Sequence, residues 1–178
     1  MSKSKQDLVC DLMTHRVITV DITEYVEEAL RLMVKFDIGS LVLTDDEKPV
    51  RIITERDITK ASLRGDNMLR LPVRSLMSKP LVTIPPSLEI WRAFETMLEY
   101  GVRRLPVVED GRLVGIITDR DLIRWVLRVF YEPNLPSEIR ALVENPRIEA
   151  TTGRSRCPDC GQYLGECICF RTAVAVEE

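Results

Sequence analysis

The sequence predicts an α+β fold built twice over, followed by a small metal-bound β ribbon, and three observations carry that expectation. Strand-like runs and helix-like runs succeed one another in the order strand, helix, strand, strand, helix. The whole pattern returns sixty-four residues later without a gap. Four cysteines, Cys157, Cys160, Cys167 and Cys169, then crowd into thirteen residues near the C-terminus.

The elements follow in order. Leu8, Val9, Leu12 and Met13 make a short amphipathic start in which Cys10 is expected as a small buried hydrophobe, and Val17 to Val20 is a β-branched strand. Thr23 is placed to cap a helix whose Val26, Ala29, Leu30, Met33 and Phe36 fall on one face by their three-and-four spacing. Ile38 to Leu43 is the next strand, Asp45 to Lys48 a turn, and Val50 to Ile53 the returning strand that hands over to a helix at Thr54. In the second copy Ser87 stands where Thr23 does, and Asp110-Gly111 marks the hairpin.

Thirteen residues between positions 12 and 58 recur identically at the shifted positions, among them Leu41, Ile53, Thr54, Arg56 and Asp57. Repetition at that density is duplication. One copy alone offers too little apolar surface to close a core, so the two copies are expected to pack with pseudo-two-fold symmetry. The boundaries expected are 7–64 and 71–132 for the copies, 133–147 for a linker helix and 148–178 for the cysteine unit. The helix after Asp121 carries Leu122, Ile123, Trp125, Val126, Leu127, Val129 and Phe130 on more than one face. It has to cover more than its own core, either the C-terminal segment or a second copy of the chain.

Composition narrows the function. Hydrophobic residues at 45%, charged residues at 30% and a net charge of −3 describe an ordinary globular chain with no bulk attraction for nucleic acid or an anionic membrane. No apolar run reaches the roughly eighteen residues of a spanning helix, and the N-terminus leads into no signal-peptide core, so a cytoplasmic protein is expected. Thiols stay reduced there, which favours metal ligation over disulfides for the four cysteines. The single histidine, His15, sits on the approach to the first strand, and no phosphate-cradling glycine loop or nucleophile-and-base pair accompanies it. The expected protein is not an enzyme.

The hand-over segments Thr54-Glu55-Arg56-Asp57 and Thr118-Asp119-Arg120-Asp121 carry the most chemistry. A threonine with an aspartate three residues on makes a capping box worth about 1 kcal/mol. Capping explains neither the arginine nor the pairing. The same geometry can bind a ligand: helix amides and the threonine hydroxyl meet a phosphate, Arg56 or Arg120 screens its charge, and Asp57 or Asp121 accepts hydrogen bonds from ribose hydroxyls.

With Gly101 to Val108 and Gly115 to Asp121, the duplicated unit resembles a pair of cystathionine-β-synthase (CBS) domains over about residues 7 to 130. The resemblance implies binding of adenosyl compounds such as AMP, ADP, ATP or S-adenosylmethionine in clefts between the copies, and face-to-face assembly as disc-shaped homodimers. It further implies that Thr54 and Thr118 hold phosphate and Asp57 and Asp121 hold ribose, with Thr19, Thr83, Ser40 and Arg104 bordering the adenine. The copies are not equivalent, because Arg51 stands in the place of Gly115 and is expected to obstruct or recharge the first cleft, and Gly39-Ser40 matches Arg103-Arg104. The site at Asp121 is expected to be the better one.

Cys157-Pro158-Asp159-Cys160-Gly161 puts two thiolates on a tight turn, and Cys167-Ile168-Cys169 adds two more at a shorter spacing than a usual second knuckle. A unit of about thirty residues is too small to fold on its apolar content, so a tetrahedral metal is expected as its core. The segment resembles a zinc-ribbon or rubredoxin-like module, and its fusion to a CBS pair looks archaeal. Four thiolates hold zinc or iron alike. The favoured function is a regulatory sensor with the ribbon as structural or output module, working on a protein partner that the sequence does not name. One alternative is a rubredoxin-like iron electron carrier. Another is nucleic-acid binding through Arg147, Arg154, Arg156 and Arg171, which Glu149, Asp159, Glu166 and the acidic tail oppose, so that nucleic acid is not the expected partner.

Overall fold

The computed structural model describes residues 7–131 apart from 64, 66 and 77–79. The linker helix, the cysteine unit and its proposed ligands Cys157, Cys160, Cys167 and Cys169 lie outside the described residues. Among the described residues no helix is long and apolar enough to cross a membrane.

The first half runs β1 (Thr19–Asp21), α1 (Val26–Phe36), β2 (Ser40–Asp45), β3 (Lys48–Thr54) and α2 (Glu55–Ser62). The second runs α3 (Ile90–Tyr100), β4 (Arg104–Glu109), β5 (Arg112–Thr118) and α4 (Asp119–Val126), and a π-helical turn Leu127–Tyr131 follows. β1 pairs parallel to β2, and β2 antiparallel to β3. β4 and β5 form the matching hairpin. The expected first strand of the second half is reduced to one parallel bridge, Ile84 to Val107. Pro85 stands where the first half has Asp21, and proline gives a ladder no donor. Both hairpins turn through left-handed residues, Asp46 and Glu47 in one and Asp110 and Gly111 in the other, as the twist of paired strands requires.

Each half has its own core. α1 lays Val26, Ala29, Met33 and Phe36 on Leu41, Leu43 and Ile53, whereas α3 lays Ile90, Ala93 and Met97 on Leu105, Val107 and Ile117. The segments that precede the halves are exchanged. Val9 and Met13 are buried in the second core, and Val73, sixty-four positions after Val9, is buried in the first. Cys10 is half-buried against the second core.

This exchange corrects the expected helix caps. Thr23 does not cap α1: the N-cap is Tyr25, with no side-chain bond, and the N-cap of α3 is Glu89 rather than Ser87. The crossing segments supply the acceptors instead. Val26 N–H donates to the Leu71 carbonyl at 2.9 Å and Ile90 N–H to the Asp7 carbonyl at 3.1 Å. Asp7 is further held by Trp125 of α4, whose Nε1–H donates to Oδ2 at 2.6 Å. Thr14 pairs with Ile116 of β5 through two backbone hydrogen bonds of 2.9 Å, so the N-terminal segment is stitched to the far half.

A second buried layer lies between the halves. Val42 and Ile116 are buried but belong to neither core, because alternate residues of a strand point to opposite faces. Their face joins the halves, and β3 and β5 meet there.

Candidate ligand site between the halves

Strand alternation places the sequence-predicted residues. Ser40 is the cross-strand neighbour of Thr54, and Arg104 that of Thr118. Each pair lies two residues beyond Val42 and Ile52, or Pro106 and Ile116, and so shares the face between the halves. Thr19 lies beside Val42 on β1, and Thr83 immediately precedes the bridge at Ile84. Thr19, Ser40 and Arg104 are half-buried, and Thr83 is exposed.

At the end of each hairpin the strand becomes a helix through a reciprocal cap. Thr54 donates to Asp57 Oδ2 twice, from its backbone N–H at 2.9 Å and from its hydroxyl at 2.7 Å, and Asp57 N–H reaches the hydroxyl oxygen at 3.4 Å. Thr118 and Asp121 repeat the arrangement at 2.8, 2.6 and 3.4 Å. One carboxylate oxygen of each aspartate is thus spent on capping and the other is left over. In α4 the spare Oδ1 lies 3.6 Å from Arg124. In α2 the spare oxygen of Asp57 meets no partner among the described residues.

Arg56 and Arg120 occupy the second helical position, exposed, and their guanidinium groups make no hydrogen bond or ion pair among the described residues. A cation in the first turn opposes the helix dipole. Capping alone would favour an acid or a neutral residue there, so it does not account for an arginine in both halves. The threonine hydroxyl, the helix amides, the spare carboxylate oxygen and the arginine together can hold a phosphate and a pair of vicinal hydroxyls.

Gly115 admits the close approach of a neighbouring segment, since a Cβ there would stand 2.5 Å from Met13 Sδ and 3.0 Å from the Thr14 carbonyl oxygen, both in the crossing segment. One expectation changes. The matching Arg51 is buried on the core side of β3 with Ile53, away from Ile52 and Thr54, so it neither blocks nor charges the cleft. Arg124, absent from the sequence-stated site, stands beside Asp121. Its three-residue spacing from Asp121 on a helix was the available signal.

Comparison with known proteins agrees with the fold. The CBS domain profile matches residues 9–64 and again 73–128. An uncharacterised 17.7 kDa protein of Acidianus ambivalens is 37% identical over 161 residues, which cover 89% of this chain and 91% of that protein. An uncharacterised protein of Methanopyrus kandleri is 38% identical over 111 residues, and the match spans 61% of this chain and only 57% of that relative. Among solved structures, the CBS domain pair of protein MJ0100, crystallised with 5′-methylthioadenosine and S-adenosyl-L-methionine, superposes with a TM-score of 0.60 at 30% identity. That superposition covers 67% of this chain and 94% of the other. The chain therefore belongs to the CBS domain family and carries two copies of the domain in tandem.

Proposed function

We propose that this chain is a regulatory, non-catalytic sensor of adenosyl compounds, with AMP, ADP, ATP and S-adenosylmethionine as the candidate ligands. The observation that carries the reading is the pair of capped hand-overs, Thr54 to Asp57 and Thr118 to Asp121, each with an arginine set against the helix dipole on the face between the halves. Thr54 and Thr118 stand at the 5′ end of the ligand with Ser40 and Arg104 as their cross-strand neighbours, Asp57 and Asp121 take ribose, and Thr19 and Thr83 border the base. The adenosyl ligands of the MJ0100 pair support the same chemistry here. Ligand regulates by binding two packings of the halves, or of a dimer, with different affinity. A homodimer would cover apolar residues that stand exposed on α3 and α4, Trp91, Phe94, Leu98 and Ile123.

The C-terminal unit is proposed to hold one zinc or iron ion on Cys157, Cys160, Cys167 and Cys169 and to act as a structural or output module. The four thiols within thirteen residues are what support this reading. Titration calorimetry of Asp121→Ala with AMP tests the ligand reading. A loss of about 1.5 to 3 kcal/mol, as for a charged hydrogen-bonding group, is expected, and unchanged affinity overturns the assignment. Native mass spectrometry of the full chain should show one bound metal ion, lost in Cys157→Ser.

A further inference from the structure

Resting on the adenosyl reading, we infer that the two clefts divide ligands by charge: the second selects a phosphorylated adenosyl compound, the first an adenosyl compound without phosphate, and the pair Ser40 and Arg104 sets the difference. The two clefts share their hairpin register and their caps and differ in electrostatics. At six equivalent positions the first half has Gly39, Ser40, Glu55, Arg56, Asp57 and Lys60, whose charges cancel. The second has Arg103, Arg104, Asp119, Arg120, Asp121 and Arg124, where cations exceed acids by two.

Position adds to the count. Arg104 is half-buried at the end of β4, the registered neighbour of Thr118, and its guanidinium makes no hydrogen bond or ion pair among the described residues. A half-buried arginine without a partner gives up hydration for no return unless an anion arrives, and its planar fork suits phosphate oxygens. In the first half the same place beside Thr54 is held by the neutral Ser40. There the carboxylate of Glu55 also leans over Gly39, with Oε2 3.2 Å from where a Cβ would stand. A carboxylate at that mouth repels a phosphate. Its counterpart Asp119 is one methylene shorter, accepts a hydrogen bond from Arg120 N–H at 2.9 Å, and has Arg103 in place of the glycine.

AMP and 5′-methylthioadenosine form a matched pair of probes, since both carry adenosine and only the first carries a phosphate. Calorimetry of the full chain with each, repeated for Arg104→Ser, Arg104→Gln and Ser40→Arg, tests the inference. Both Arg104 variants should weaken AMP by roughly tenfold or more, as for one charge-assisted hydrogen-bonding group, and leave 5′-methylthioadenosine where it was. Ser40→Arg should add a second tight AMP equivalent at the cost of one for 5′-methylthioadenosine. Two Arg104 variants are used so that a folding defect in one does not decide the matter. An AMP to 5′-methylthioadenosine ratio unmoved in all three variants overturns the charge selection and leaves the adenosyl reading standing. Wild-type protein that binds neither probe overturns both.

Discussion

α1 and α3 are the same helix twice, and their outer faces have parted. On α1, Arg31 pairs with Glu27 at 3.4 Å and with Glu28 at 3.4 Å, a solvated ladder of little energetic weight. On α3 the position of Glu27 is Trp91, stacked under Arg92 at 4.0 Å, and Phe94 and Leu98 extend an apolar stripe that stands exposed. Beneath these faces the halves agree closely: Ala29 and Ala93, Met33 and Met97, Leu41 and Leu105, and Ile53 and Ile117 all lie in the cores. Folding thus holds these core positions equal, and the outer faces of the two helices carry a difference between the halves. The cleft follows the same division, with its caps alike and its charges unlike.

The largest test of this comparison lies in the cores. Leu41→Ala and Leu105→Ala remove equivalent side chains that are almost wholly buried, and each should cost about 2 to 5 kcal/mol in denaturant titration. Because Val9 and Val73 each complete the other half's core, both variants should melt in one transition. Two separated transitions would break the view that the exchanged segments weld the halves into one folding unit.

A smaller test uses the one strand position at which the halves differ most. Gly115→Ala should destabilise by about 1 to 3 kcal/mol through overpacking. Met13 can swing aside, but the Thr14 carbonyl is fixed by its two hydrogen bonds to Ile116. The first half already carries Arg51 at this place, so the cost measures how closely the N-terminal segment is pressed to β5. A loss under about 0.5 kcal/mol, typical of an undemanding surface site, would mean that the segment is loosely laid.

Much of this was legible in the sequence, and the parts that were not share a cause. Periodicity and the sixty-four-residue shift gave the elements, their order and the buried faces of α1 and α3. The Thr-x-Arg-Asp spacing gave the caps with their partners, since a capping box is entirely local. Contacts between segments far apart in the chain were not legible. The exchange of Val9 and Val73 could not be read, nor could which segment presses on Gly115, because each depends on which half a leading segment chooses. The same ignorance misplaced the caps at Thr23 and Ser87, where backbone carbonyls of Leu71 and Asp7 had already taken the role. Arg51 was misjudged for a related reason: a one-residue offset along β3 separates the core side from the cleft side.

Thr23, released from capping, shows what the first half has that the second lacks. Its hydroxyl donates to Asp21 Oδ1 at 2.5 Å and its backbone N–H donates to the same oxygen at 2.9 Å. The side-chain bond first, and the backbone bond second, hold the Asp21 carboxyl below its ordinary value of 3.8, against a smaller upward push from desolvation. A carboxyl depressed in the folded state stabilises the fold above its unfolded pKa, and that contribution disappears as pH falls through the lowered folded value. Thr23→Val removes the stronger bond. Its stability should therefore lie below wild type at neutral pH and converge on it as pH drops below about 4. The Asp21 carboxyl resonance of the variant should titrate at higher pH than in the wild type. The second half has Pro85 and Ser87 at these places and can form no such pair, so Ser87→Ala should leave the acid limb of the stability curve unchanged. An acid limb shifted equally by both variants would show that the effect belongs to the fold in general rather than to the Asp21 turn.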